Sequence, residues 1–91
     1  MAKFLAIHTL PTPATHEEAA VLGKKAKAKM TVDAYWVKSW AQLNNDGKIV
    51  RIFCEWNAKD VDAIRGVMAQ LPEFPLDGIY PMMIVDSEEF R

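Results

Sequence analysis

Few side chains in this 91-residue chain have the chemistry of a site. His8 is one of two histidines. Its neutral imidazole is available near neutral pH, as a general base or a metal ligand. The competing role is a histidine hydrogen-bonded at a sheet edge or interface. His16 falls in the first turn of a helix, toward solvent, and joins a metal site only if the Pro11–Ala14 loop folds back. Glu55 and Lys38 come opposite each other on adjacent strands, as an acid/base pair or a cross-strand ion pair. Arg51 lies near Trp40, where a guanidinium stacks on a ring or binds a ligand carboxylate. Cys54 is expected on the core face, where a thiol is inert. Met68, Met82 and Met83 read as fillers of core and interface gaps. Nothing has the spacing of a zinc site, a P-loop or a hydrolase motif.

The element that must position these groups is a hairpin within Asp33–Asn57, which holds all three tryptophans and the single cysteine. Two alternating apolar runs, Ala34–Leu43 and Lys48–Trp56, flank Asn44-Asn45-Asp46-Gly47. Asp-Gly at such a junction predicts a type I′ turn with φ > 0 at both residues. Counting outward pairs Gln42 with Arg51, Trp40 with Phe53 and Lys38 with Glu55. The alternate positions pair Leu43 with Val50, Ala41 with Ile52, Ser39 with Cys54 and Val37 with Trp56. One face is then small and apolar: Val37, Ala41, Val50, Ile52 and Cys54. The other is aromatic and charged: Trp36, Lys38, Trp40, Arg51, Phe53 and Glu55.

The rest of the chain supplies the layers around the hairpin. Lys3–Leu10 reads as a first strand stopped by Pro11 and Pro13. Its larger aliphatics, Leu5 and Ile7, are expected in the core, which leaves His8 on the opposite side. Thr15-His16-Glu17-Glu18 has the form of a capping box. The helix it opens runs to about Lys29, with Ala19, Leu22, Ala26 and Met30 as its buried stripe. Acid at its start and lysine near its end suit the helix dipole. A second helix is capped by Asn57, has Asp60 at its third position, and buries Val61, Ile64, Met68 and Leu71. Ile79–Val85 is a last strand, and Pro81 within it predicts an edge position or a bulge.

The order β-α-β-β-α-β is the split βαβ pattern of ferredoxin-like folds. The chain is therefore expected to be a single α+β domain, residues 1–91. Two helices should cover one face of a four-stranded antiparallel sheet with spatial order 4-1-3-2. The face with Trp36, Trp40 and Phe53 has no cover within the chain, and such patches mark a partner or ligand. A second copy is the simplest cover, giving a homodimer of the dimeric α+β barrel kind. A net charge of −1 gives no reason to expect nucleic acid or an anionic membrane. No run approaches the roughly 18 apolar residues of a membrane span, and no signal peptide is evident. One cysteine cannot close an internal disulfide, which fits the cytoplasm.

Three segments carry a resemblance: Phe4–Pro11 (FLAIHTLP), Tyr35–Trp40 (YWVKSW) and Phe53–Arg65 (FCEWNAKDVDAIR). They resemble a family of small bacterial ferredoxin-like proteins whose named representative is a nickel-binding protein. The resemblance implies a ferredoxin-like homodimer and transition-metal binding, nickel among the metals, with His8 as the matching ligand position. Glu55 stands where members often carry leucine, and Asn57 where they often carry glutamate. With two histidines per chain, a histidine-rich nickel centre needs both subunits or added carboxylates.

The leading expectation is a small-molecule or metal-binding homodimer whose site lies between the two sheets. His8 serves there as ligand or anchor, Arg51 faces anionic groups, Glu55 is a second ligand, Trp36, Trp40 and Tyr80 form the walls, and Lys38 is a further ligand-binding residue. The alternative is a cofactor-independent enzyme of oxygenase or isomerase type with histidine as base, an analogy of fold. In a third reading the aromatic face is only a dimer interface.

Overall fold

The computed structural model describes all residues, Met1–Arg91. Its elements are β1 (Ala2–Ala14), α1 (His16–Lys27), β2 (Ala34–Leu43), β3 (Ile49–Ala58), α2 (Val61–Met68) and β4 (Gly78–Pro81), followed by a 3-10 turn, Ser87–Phe90. The four strands form one sheet in the order β2-β3-β1-β4, with every neighbouring pair antiparallel. No helix is long and apolar enough to cross a membrane.

The β2–β3 turn differs from the expected type I′. Gly47 alone has positive φ, at 77°. The Gly47 amide donates to the Asn44 carbonyl at 3.0 Å, and the Asn44 amide donates to Lys48 at 2.8 Å. The Asn44 side chain also accepts from the Asp46 and Lys48 amides, each at 3.0 Å. Three residues, with glycine in the left-handed position, therefore make the turn. The extra residue is absorbed at once. Gln42 pairs with Arg51 and Leu43 with Ile49, so Val50 is skipped. In mid-hairpin, Trp40–Phe53, Ser39–Cys54 and Lys38–Glu55 pair as the sequence predicts.

A second irregularity, between Trp36 and Lys38, moves a candidate site residue. Trp36 pairs with Trp56, and Val37 is the extra residue. A bulge sets two residues against one, so parity reverses beyond it. Trp36 thus lies on the helix-covered side, where it packs on the core, and Val37 is exposed.

β1 shows the opposite parity from the one expected. Phe4, Ala6 and His8 pair with Trp56, Cys54 and Ile52 and are buried under the helices. Leu5 and Ile7 are half-buried on the open face. Side-chain bulk misleads here because the covered layer takes Phe4, the small Ala6 and the His8 ring beside Trp56 and Phe74.

The two helices cover the sheet unequally. α2 buries Ile64, Val67 and Met68, and Leu71 and Phe74 continue that core beyond its end. Its cap is Asp60, whose carboxylate accepts from the Ala63 amide at 2.8 Å. Asn57 is not the cap, because β3 continues through it to Ala58. α1 has the expected capping box between Thr15 and Glu18, yet it buries only Ala26. β4 is shorter than expected. It ends at Pro81, which has no N–H with which to extend the ladder.

Candidate functional site

The unequal coverage leaves a cavity of about 280 Å³ between α1 and the sheet. Its origin is legible in residue sizes. α1 presents Ala19, Ala20, Gly23 and Ala26 toward it, and the sheet answers with Ser39, Ala41 and Cys54. Where these small residues face each other the two layers stay apart, while Leu22 and Trp36 reach across beside them. The large rings of Trp36, Trp56 and Phe74 form walls. At Gly23 an added Cβ would lie 3.6 Å from the Trp36 ring, an ordinary contact.

His8 is the most constrained polar group in this cavity, with 0% of its surface exposed. Its ring stacks on Phe74, centroids 3.9 Å apart and planes 15° apart. Its Nδ1 lies 2.6 Å from the Pro75 carbonyl oxygen. A carbonyl can only accept, so Nδ1 carries a proton and donates it there. Burial pushes the His8 pKa below its usual 6.5, against the smaller opposing effects of the Pro75 hydrogen bond and the Asp77 charge. The neutral ring then has its lone pair on Nε2, a buried atom with no partner in the protein. The segment Phe74–Asp77 is held onto the end of β1 by further bonds. The Asp77 amide donates to the Ile7 carbonyl at 2.8 Å, and the Thr9 hydroxyl donates to the Asp77 carboxylate.

The other polar groups on this side are mostly satisfied. Trp36 Nε1 donates to Ser39 Oγ at 2.7 Å, and Ser39 Oγ donates to Cys54 Sγ at 3.0 Å. Burial pushes the Cys54 thiol up to about 11, outweighing the Ser39 hydrogen bond. It stays a thiol at neutral pH and is a poor nucleophile. Trp56 Nε1 is buried with no partner in the protein.

The remaining candidates stay on the open face of the sheet. Glu55 is only 2% exposed, and its Oε2 takes a 2.6 Å ion pair from Lys3. Lys3 also donates to Asn57 Oδ1 at 2.8 Å. Lys38 faces Glu55 in register but lies over the Trp40 ring, 5.6 Å from its centroid. Arg51 lies over Phe53 at 6.0 Å, in place of the expected stack on Trp40. Trp40 and Tyr80 are about half exposed, 51% and 52%. The expected constellation is therefore divided by the sheet. His8 and Trp36 lie beneath the helices, and Lys38, Trp40, Arg51, Glu55 and Tyr80 lie on the other side.

The chain is similar to the crystal structure of SCO4226 from Streptomyces coelicolor A3(2), with a TM-score of 0.74 over 93% of this chain and 100% of that one. The fold is ferredoxin-like. At 15% identity the likeness reaches no further than this. No family model and no curated protein matches the chain.

Within this ferredoxin-like fold a metal ion would use His8 Nε2, but no group of three or more His, Cys, Asp or Glu side chains converges there or elsewhere. His16 is exposed at the cavity rim, and the Cys54 sulfur is a thiol already engaged by Ser39. A second copy on the open face would meet the far side of the sheet from His8. Within one chain these residues gather no chelating set around His8. Phe74, Pro75 and Trp56 are site residues that sequence reasoning missed. Trp56 had a signal, since it alternates in step with Ile52 and Cys54. The Phe74–Pro75 segment had none, because it reads only as the end of a helix.

Proposed function

We propose that the protein binds a small, mainly apolar molecule in the cavity between α1 and the sheet. The carrying observation is the buried His8, locked by Phe74 and Pro75, whose Nε2 faces no protein partner beside that cavity. An apolar cavity with a few fixed polar groups is the usual form of a small-molecule site. Titration of β-naphthol into the purified protein tests this by calorimetry. Wild-type protein is expected to bind, and Gly23→Leu is expected to fill the cavity and abolish binding. That variant should fold at least as well, because leucine improves on glycine inside a helix by roughly 0.5–1 kcal/mol. Unchanged binding to Gly23→Leu, or none to wild type, contradicts the proposal.

A second reading, a cofactor-independent enzyme, draws on the same ring. A histidine kept neutral, oriented through Nδ1 and unpaired at Nε2 has the properties of a general base. Loss of turnover with retained binding in His8→Gln would favour it.

We further propose that two copies pair through the open face, where Trp40 and Tyr80 are exposed beside Phe53 and Leu5. In a two-fold interface each substitution acts twice. Trp40→Glu should weaken dimerisation by about 4 kcal/mol in total, roughly a thousandfold. Light scattering coupled to gel filtration reads this, and a monomeric wild type would refute the dimer. The single buried cysteine suits a reducing compartment, and we place the protein in the cytoplasm.

A further inference from the structure

The cavity is lined by two rings whose buried polar atoms have no partner in the protein, and the two atoms are opposite in sense. His8 Nε2 is an acceptor, because Nδ1 carries the proton to Pro75. Trp56 Nε1 is a donor and nothing else. The two rings sit apart. His8 pairs with Ile52 and Trp56 with Phe4, a separation of four strand residues, or about 13 Å of backbone. No Lys, Arg, Asp or Glu lines the cavity. Its other ionisable groups are His16, exposed at the rim, and the Cys54 thiol.

We infer that the ligand is a neutral, flat, apolar molecule of bicyclic size, with a hydrogen-bond donor at one end for His8 and an acceptor at the other for Trp56. This rests on the binding reading above. A cavity of about 150 Å³ holds one benzene ring, so about 280 Å³ takes two fused rings. A carboxylate or ammonium group would leave water and find no counter-charge. A ligand with the donor or the acceptor pairs a polar atom that the protein leaves unpaired, and one that lacks it forgoes that hydrogen bond. A hydroxyaryl carbonyl compound, with hydroxyl and carbonyl on opposite rings, meets both demands.

Calorimetry at neutral pH with four probes tests this: an acetyl-naphthol substituted at opposite ends, β-naphthol, its methyl ether, and naphthoate. Affinity is expected to fall in that order, by about tenfold at each of the first two steps, with naphthoate unbound. His8→Phe should erase the preference for naphthol over its ether. Trp56→Phe should erase the gain from the acetyl group and leave naphthol binding intact. The wild-type ratios depend on no variant folding. Equal affinity for naphthol and its ether, or tightest binding of naphthoate, overturns the inference and leaves the binding reading standing. No binding of any probe overturns both.

Discussion

Replacing His8 by alanine is expected to destabilise the protein by about 3–4 kcal/mol, a large share of the roughly 5–15 kcal/mol that holds such a domain together. The loss has two sources. The ring is fully buried and stacked on Phe74, so its removal opens a cavity. The Pro75 carbonyl also loses its donor. The melting temperature should fall by roughly 15–25 °C. His8→Phe should recover much of the stacking but not the hydrogen bond, and so fall between alanine and wild type.

The same residue predicts a pH dependence. In the fold its pKa lies below 6.5, so the folded ring stays neutral where the unfolded ring takes a proton. Between those two values the unfolded state binds more protons, and stability rises with pH. The contribution is complete above the unfolded value and is lost as pH falls through it toward the folded one. Wild type should therefore melt lower at about pH 5.5 than at about pH 7.5, and His8→Phe should lack this difference. A wild-type curve that is flat across that interval would mean that His8 is hydrated in solution.

Lys3→Met is expected to cost about 2–3 kcal/mol, although Lys3 itself is partly exposed. Removing it strands the Glu55 carboxylate, which is 2% exposed and whose Oε1 already lacks a partner. The reverse change, Glu55→Met, should cost less, because the Lys3 ammonium can turn into solvent. The double variant should be more stable than Lys3→Met alone. Chemical denaturation measures all three. A loss under about 0.5 kcal/mol for Lys3→Met would class the pair with ordinary surface ion pairs.

The layers of this fold were legible in the sequence because local signals agree with the global arrangement. The Thr15–Glu18 capping box, the Ile64–Met68–Leu71 stripe and the alternation of Ile52, Cys54 and Trp56 each indicate an element or its buried side. The hairpin register held at its centre because one extra turn residue was offset by the skipped Val50. The site was less legible, since it depends on parity and on empty space. One extra residue, Val37, carries Trp36 through the sheet. Bulk favoured Leu5 and Ile7 for the core, yet Phe4, Ala6 and His8 are the residues inside. The cavity arises where small residues of α1 face small residues of β2 and β3, and no single stretch of sequence reveals that meeting. Cys54 read correctly as a buried, unreactive thiol because it alternates with Ile52 and Trp56 on the covered side, where it meets Ala6 on one neighbouring strand and the Ser39 hydroxyl on the other.

The central claim is that the space beneath α1 is a binding site anchored on His8. A crystal structure of the protein soaked with β-naphthol tests it most directly. The expected result is a naphthyl ring between α1 and the sheet, with its hydroxyl oxygen at hydrogen-bond distance, about 2.7–3.2 Å, from His8 Nε2. Naphthol bound only on the open sheet face, with α1 closed down on Ser39 and Cys54, would contradict it.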